Sequence, residues 1–103
     1  MKKPTRTIEV PDKIYYVYIL RCNDTTLYVG STSDVIRRLH QHNHAKGGAH
    51  YTKIRRPVTL QYCEEFSTYA KSRAREAEIK RLSRTEKLGL IAANVLTLED
   101  SDA

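Results

Sequence analysis

IYYVYILRCNDTTLYVG, residues 14–30, decides the fold. Residues 14–21 form a nearly unbroken run of β-branched, aromatic and aliphatic side chains, the composition of a strand. A run with so little alternation suits a strand that is central in its sheet and covered on both faces. Asn23-Asp24-Thr25-Thr26 is a cluster of turn formers, and Leu27-Tyr28-Val29-Gly30 reads as a second strand. The connection is too short for a crossover, so the pair is an antiparallel hairpin.

Outward from the hairpin, Asp34 suits a helix N-cap, with Ser33 as the alternative. Val35, Ile36 and Leu39 then make an apolar face at helical spacing, and Gly47-Gly48 lets the chain leave the helix. Residues 46–57, KGGAHYTKIRRP, read as a basic loop. Val58 opens a third strand over Thr59–Cys63. Ser67 or Thr68 starts a long helix to about Leu82. After a break at 83–86, where Ser83 or Thr85 can cap, a last short helix runs to about Ala93. The order β-β-α-β-α-α predicts an α+β fold: a small three-stranded, largely antiparallel sheet flanked by helices. Residues 1–12, with two prolines and no periodicity, read as a flexible arm; 13–93 as the domain; and 94–103 as an acidic C-terminal tail, frayed from Leu98 onward.

The 103 residues suffice for one domain with a core of its own. Lys and Arg exceed Asp and Glu to a net charge of +6, and the acids concentrate at the end. Over residues 1–98, 18 cations face nine acids, a net +9 that attracts polyanions, nucleic acid foremost. No apolar run approaches the roughly 18 residues of a membrane span, and the basic N-terminus lacks the apolar stretch of a secretory signal. A cytoplasmic protein without membrane contact is the expectation. Cys22 and Cys63 then read as reduced packing residues.

The chemistry lies in the hairpin and the helices. Tyr16 and Tyr18, two apart on a strand, share one face; Tyr28 lies on the neighbouring strand, and Gly30 lacks the Cβ that would stop another group packing closely. Arg38 and His42, four apart, share a helix face. Glu76 sits in a helix rich in cations. Phosphodiester hydrolysis uses such a set: an oxygen ligand for a hard divalent cation, which Glu76 supplies; a fixed guanidinium for phosphoryl charge, Arg38; and Tyr or His to move protons. Each residue also has a plainer reading. The tyrosines suit any strand, Arg38 and His42 suit a solvated helix face, Glu76 can pair with Arg73 or Lys80, and Glu78 replaces Glu76 if the register slips. His40 and His44 share a face, but no cysteine or carboxylate lies near in sequence to close a zinc site. Tyr51, Lys53, Arg55 and Arg56 interleave cations with a ring, suited to backbone contact and base stacking; Lys46 and Lys80 complete the candidate nucleic-acid contacts.

YVYIL at 16–20 and YVG at 28–30 resemble the paired tripeptides that name the GIY-YIG nucleases. Val17-Tyr18 match the end of the first tripeptide and Tyr28-Val29-Gly30 the second. Arg38 falls where that family carries its catalytic arginine, His42 matches a histidine found in many members, and Glu76, within REAEIKRL, matches the metal-holding glutamate. The resemblance covers about residues 14–91 and is closest to short stand-alone bacterial members, which share a KGG-type loop, a Tyr-Thr pair and an arginine-proline before the third strand. It implies a single divalent metal, Mg²⁺ or Mn²⁺, on Glu76, and hydrolysis leaving a 5′-phosphate and a 3′-hydroxyl. It also implies a motif tyrosine, Tyr18 or Tyr28, assisting the attacking water. Tyr16 departs from the usual glycine and adds a ring that narrows access or stacks on a base. No second module for sequence recognition is evident. The expectation is a metal-dependent endonuclease on DNA rather than RNA, structure-dependent or weakly sequence-specific, with a protein partner as one source of specificity. The competing expectations are a non-catalytic nucleic-acid-binding module on the same scaffold and a domain docked to a larger repair or processing complex.

Overall fold

The strand read as central is central. In the computed structural model, which describes residues 13–44 and 50–102 with side chains through 94, β1 (Tyr15–Arg21) lies between β2 (Leu27–Thr32) and β3 (Thr59–Phe66), antiparallel to both. The helices are α1 (Val35–His44), α2 (His50–Lys53), α3 (Tyr69–Lys80) and α4 (Arg84–Asp102). The expected arm 1–12 and Lys46 lie outside the described residues. The antiparallel sheet flanked by helices agrees with the α+β expectation, and α2 is an addition to the expected order.

The unbroken apolar run of β1 follows from its position. Val17 and Ile19 point to one face, where they bury with Val29 and Ile79 against Leu82, Leu90 and Ile91 of the α3–α4 side. Tyr18 and Leu20 point to the other, where they bury with Cys22 and Val58 against Tyr28 and Leu39. Burying one such aliphatic side chain contributes about 1.5–3 kcal/mol, so each face holds its own helix layer. Tyr18 lies opposite Gly30 on β2 and Cys63 on β3, and the β1–β3 register shifts between Ile19 and Leu20.

Local signals set the connections. Asp24 Oδ1 accepts from the Thr26 amide (3.1 Å) and hydroxyl (2.6 Å), closing a turn in which Thr25 sits at φ 68°. Asp34 caps α1, its carboxylate accepting from the Arg37 amide at 3.0 Å. Thr68, not Ser67, caps α3, accepting from the Lys71 amide at 3.2 Å. Ser83 and Glu86 exchange bonds of 3.1 and 2.8 Å, a capping box that starts α4.

One added element and two element ends differ from the sequence reading. The basic loop holds a single helical turn, α2, too short to show periodicity. β3 continues past Cys63 to Phe66, because Arg75 Nε neutralises the Glu64 carboxylate at 2.8 Å and makes a charged strand residue tolerable. α4 continues past Ala93 through most of the expected tail to Asp102. No glycine or proline follows Gly89, and Ala92, Ala93, Leu96, Leu98 and Glu99 all favour or tolerate helix.

Candidate active site

Gly30 is the geometric key to the Tyr18 side of the site. The Tyr18 ring lies across its cross-strand partner so closely that a Cβ on Gly30 would stand 2.5 Å from the phenol oxygen and 2.7 Å from Cζ. Only a residue without a side chain fits there. So placed, the Tyr18 hydroxyl meets His42 Nε2 at 2.9 Å, and His42 Nδ1 meets the Thr52 hydroxyl at 2.7 Å. All three side chains are buried. Tyr28, half-buried, turns its ring edge-on to His42 at 5.1 Å and lies 5.9 Å from the Tyr51 ring.

Burial governs the protonation here. Desolvation, then the Tyr28 phenol, pushes Tyr18 up to about 12, against hydrogen bonding and charge from Arg38. Desolvation, then Arg38 and Arg56, pulls His42 down to about 4. At neutral pH the pair is therefore a neutral phenol on a neutral imidazole. Arg38 is half-buried, its Nη1 donating to Gln41 Oε1 at 3.0 Å.

Glu76 comes from the other helix layer. Side chains alternate along β2, so Tyr28 and Gly30 face α1 while Ser31 faces α3. The Ser31 hydroxyl donates to Glu76 Oε1 at 2.8 Å, Arg73 Nε stands 3.1 Å from the same oxygen, and Lys80 Nζ stands 2.9 Å from Oε2. Desolvation works to raise the carboxyl, but bonds from Lys80 and Ser31 and the charges of Lys80 and Arg73 outweigh it and hold it below its ordinary value. Glu76 is thus an anion, and its charge works to raise the Tyr18 phenol. The structure brings Tyr18, Tyr28, His42 and Arg38 together on one face and sets Glu76 behind edge strand β2.

Two clefts flank this strand end and share Ser33. One, about 230 Å³, is lined by Tyr15, Ser31, Thr32, Tyr69, Ser72 and Arg73 beside Glu76. The other, about 320 Å³, runs from Tyr16 and Cys63 to the start of α1. Tyr16, the departure from glycine, therefore lines a cleft wall.

Among the described residues no three His, Cys, Asp or Glu side chains group as a metal cage. His40 and His44 lie ring to ring at 4.6 Å without a third such ligand. A divalent ion that keeps most of its waters fits a lone carboxylate. Glu76 qualifies: it is anionic, Ser31 is its neutral partner, and the cations on it are half-exposed at 56% and 53%, Arg73 also donating to the Tyr69 hydroxyl at 3.0 Å.

The basic loop is more structural than its composition suggested. Arg55 stacks 3.9 Å over the Tyr51 ring while Nε pairs with Asp24 at 3.0 Å. Arg56 donates to the carbonyls of His42 (2.6 Å) and Gln41 (3.3 Å), capping the C-terminus of α1. Tyr51 and Lys53 remain on the surface, and Lys80 pairs with Glu76.

Ser31 and Thr52 were not among the sequence candidates. Ser31 follows the YVG tripeptide directly, and Thr52 belongs to the Tyr-Thr pair, which sequence flagged without a role.

The profile of the GIY-YIG catalytic domain matches residues 14–88. A UPF0213 protein of Syntrophus aciditrophicus is 52% identical over 79 residues, 77% of this chain and 91% of that relative. A second, UPF0213 protein VNG_2274C of Halobacterium salinarum, is 46% identical over 77 residues, 75% of this chain and 99% of the relative. Two solution NMR structures share the fold. The UPF0213 protein BH0048 from Bacillus halodurans has a TM-score of 0.51 at 40% identity, covering 78% of this chain and 84% of that one. Protein EF2693 from E. faecalis has a TM-score of 0.57 at 34% identity, covering 84% and 91%. With a matched domain spanning most of the chain and relatives at this identity along nearly their whole length, the chain belongs to the GIY-YIG catalytic domain family, among its short UPF0213 members.

Proposed function

We propose that this protein is a divalent-metal-dependent endonuclease that hydrolyses phosphodiester bonds in DNA, with structure-dependent or weak sequence preference. One observation carries the reading: a buried Tyr18–His42 pair beside Tyr28 and Arg38 shares one end of β2 with an anionic, nearly buried Glu76. Glu76 would hold the ion, Mg²⁺ or Mn²⁺, and when bound the ion supplies Lewis-acid polarisation and a more acidic water. Arg38 offers a permanently charged, planar donor where phosphoryl charge develops. Tyr18 or Tyr28 assists the attacking water, Tyr28 being the less buried phenol on the open side and Tyr18 the one tied to His42. Tyr51 and Lys53 offer a ring and a cation to the strand, with Arg55 stiffening the ring from one side. Lys80, as it leaves Glu76, becomes a phosphate contact.

No described helix is long and apolar enough to cross a membrane. The reading places the enzyme in the cytoplasm, where thiols such as Cys22 and Cys63 stay reduced. A protein partner is the source of any sharper specificity.

A second reading has its own support. Arg73 and Lys80 on Glu76 make the set of ion pairs a structural glutamate would have, which suits a nucleic-acid-binding module without cleavage. A panel of branched, single-stranded and duplex DNA and RNA with Mn²⁺ separates the two. Cleavage by the wild type that is lost in Glu76→Gln supports the nuclease. Salt-sensitive binding independent of metal, without cleavage, supports the module.

A further inference from the structure

The Thr52–His42–Tyr18 chain is fully buried, and its polarity follows from counting donors and acceptors. A tyrosine hydroxyl has one proton to donate. Among the described residues, His42 Nε2 at 2.9 Å is the only hydrogen-bond acceptor placed for it. The Arg38 guanidinium, which also acts on the phenol, can only donate. Two donors and no acceptor would strand the phenol proton in a buried site, where an unmade hydrogen bond costs about 1–3 kcal/mol. Nε2 must therefore be the bare nitrogen of a neutral imidazole, leaving the ring proton on Nδ1, 2.7 Å from the Thr52 oxygen.

We propose that Thr52 is a positioning residue: its oxygen accepts the Nδ1–H that the Tyr18 bond requires, so that Nε2 takes the Tyr18 proton and the Tyr18 oxygen stays available to the Arg38 guanidinium. Thr52 suits the task. It is completely buried on α2, ten residues along the chain from His42, and its oxygen accepts from Nδ1–H while retaining a proton of its own to donate. The single turn of α2 inside the basic loop thereby acquires a purpose, fixing that hydroxyl over the imidazole. Without it the other tautomer becomes competitive, Nε2–H and Arg38 compete for one oxygen, and the phenol turns away. The tautomer stands on the hydrogen-bond geometry alone; its effect on cleavage rests on the nuclease reading above.

The test is ¹⁵N NMR of the histidine ring in the full chain between pH 6.5 and 8, together with cleavage of branched DNA in Mn²⁺. Wild type should show His42 protonated at Nδ1 and bare at Nε2. Thr52→Ser, which keeps the hydroxyl, should show the same. Thr52→Val, nearly isosteric, should show mixed or Nε2–H tautomers. Turnover in Thr52→Val should fall about five- to tenfold, the size of one lost neutral hydrogen bond, with KM little changed and with recovery in Thr52→Ser. A wild-type His42 protonated at Nε2, or a pure Nδ1–H ring in Thr52→Val, overturns the proposal. If Thr52→Val does not fold, the wild-type tautomer alone decides. A wild type with the Nδ1–H tautomer and no nuclease activity on any substrate would defeat the nuclease reading and leave the Thr52 assignment standing.

Discussion

Gly30→Ala should be far more damaging than one added methyl suggests. The new Cβ would stand 2.5 Å from the Tyr18 oxygen, while ordinary contact begins at 3.4 Å, so the phenol must retreat by about 0.9 Å. A retreat away from His42 stretches the 2.9 Å hydrogen bond to about 3.8 Å, beyond bonding range. A retreat toward His42 is blocked by the imidazole itself. Neither Tyr18 nor the hairpin can absorb the shift freely, because Tyr18 is 2% exposed and β1 is paired on both sides. Overpacking costs about 1–3 kcal/mol and a broken buried hydrogen bond about 1–3 more, giving a loss of about 2–6 kcal/mol. In a domain of this size that lowers Tm by about 10 °C or more. Urea titration followed by circular dichroism reads the free energy, and the Gly30→Ala/Tyr18→Ala double mutant reads the coupling. Tyr18→Ala empties the space the methyl needs, so the two losses should be strongly non-additive. A Gly30→Ala protein within about 0.5 kcal/mol of wild type, or additive losses, would refute the close approach on which the phenol–imidazole geometry depends.

The buried His42 gives a pH signature of defined sign. Its folded pKa, about 4, lies below the model-peptide value of 6.5. The unfolded chain therefore binds a proton that the folded one refuses, so stability is full above about 6.5 and falls as pH drops toward 4. Urea midpoints across that window should decline, and His42→Gln should flatten the decline; an unchanged slope in His42→Gln contradicts the assignment. Thr25, a β-branched residue at φ 68°, should welcome glycine, Thr25→Gly raising stability by about 1 kcal/mol as the left-handed strain is relieved, measured by the same titration. If Arg38 acts through its planar fork, Arg38→Lys should lose at least about tenfold in kcat, close to Arg38→Ala; wild-type turnover in Arg38→Lys would reduce its role to charge alone.

The fold was largely legible because β1 carries its position in its composition. An unbroken apolar run needs two covers, and Val17 and Ile19 on one side and Tyr18 and Leu20 on the other received them. The caps at Asp34, Thr68 and Ser83 were readable as side-chain chemistry. What escaped was decided across the structure. On β3, Glu64 pairs with Arg75 from α3, and α2 lies where Thr52 packs on His42. Period-two and period-four spacing fixes faces within one element, which is why Arg38 and His42 both lie toward Tyr18. Their relation to Glu76 was not readable, because one step along β2, from Gly30 to Ser31, changes the face of the sheet. Arg55 and Arg56 show the limit of composition: both read as phosphate contacts, and both are engaged by the fold, one on Asp24 and the other on the end of α1.

Glu76 is proposed to serve hydrolysis through a divalent ion. The direct measurement is Mn²⁺ affinity, by calorimetry on wild type and Glu76→Gln, paired with cleavage of branched DNA by both. One site per chain and Mn²⁺-dependent cuts leaving 5′-phosphates are expected, both abolished in Glu76→Gln while the fold persists. Equal Mn²⁺ binding and equal cleavage by the two proteins would contradict it.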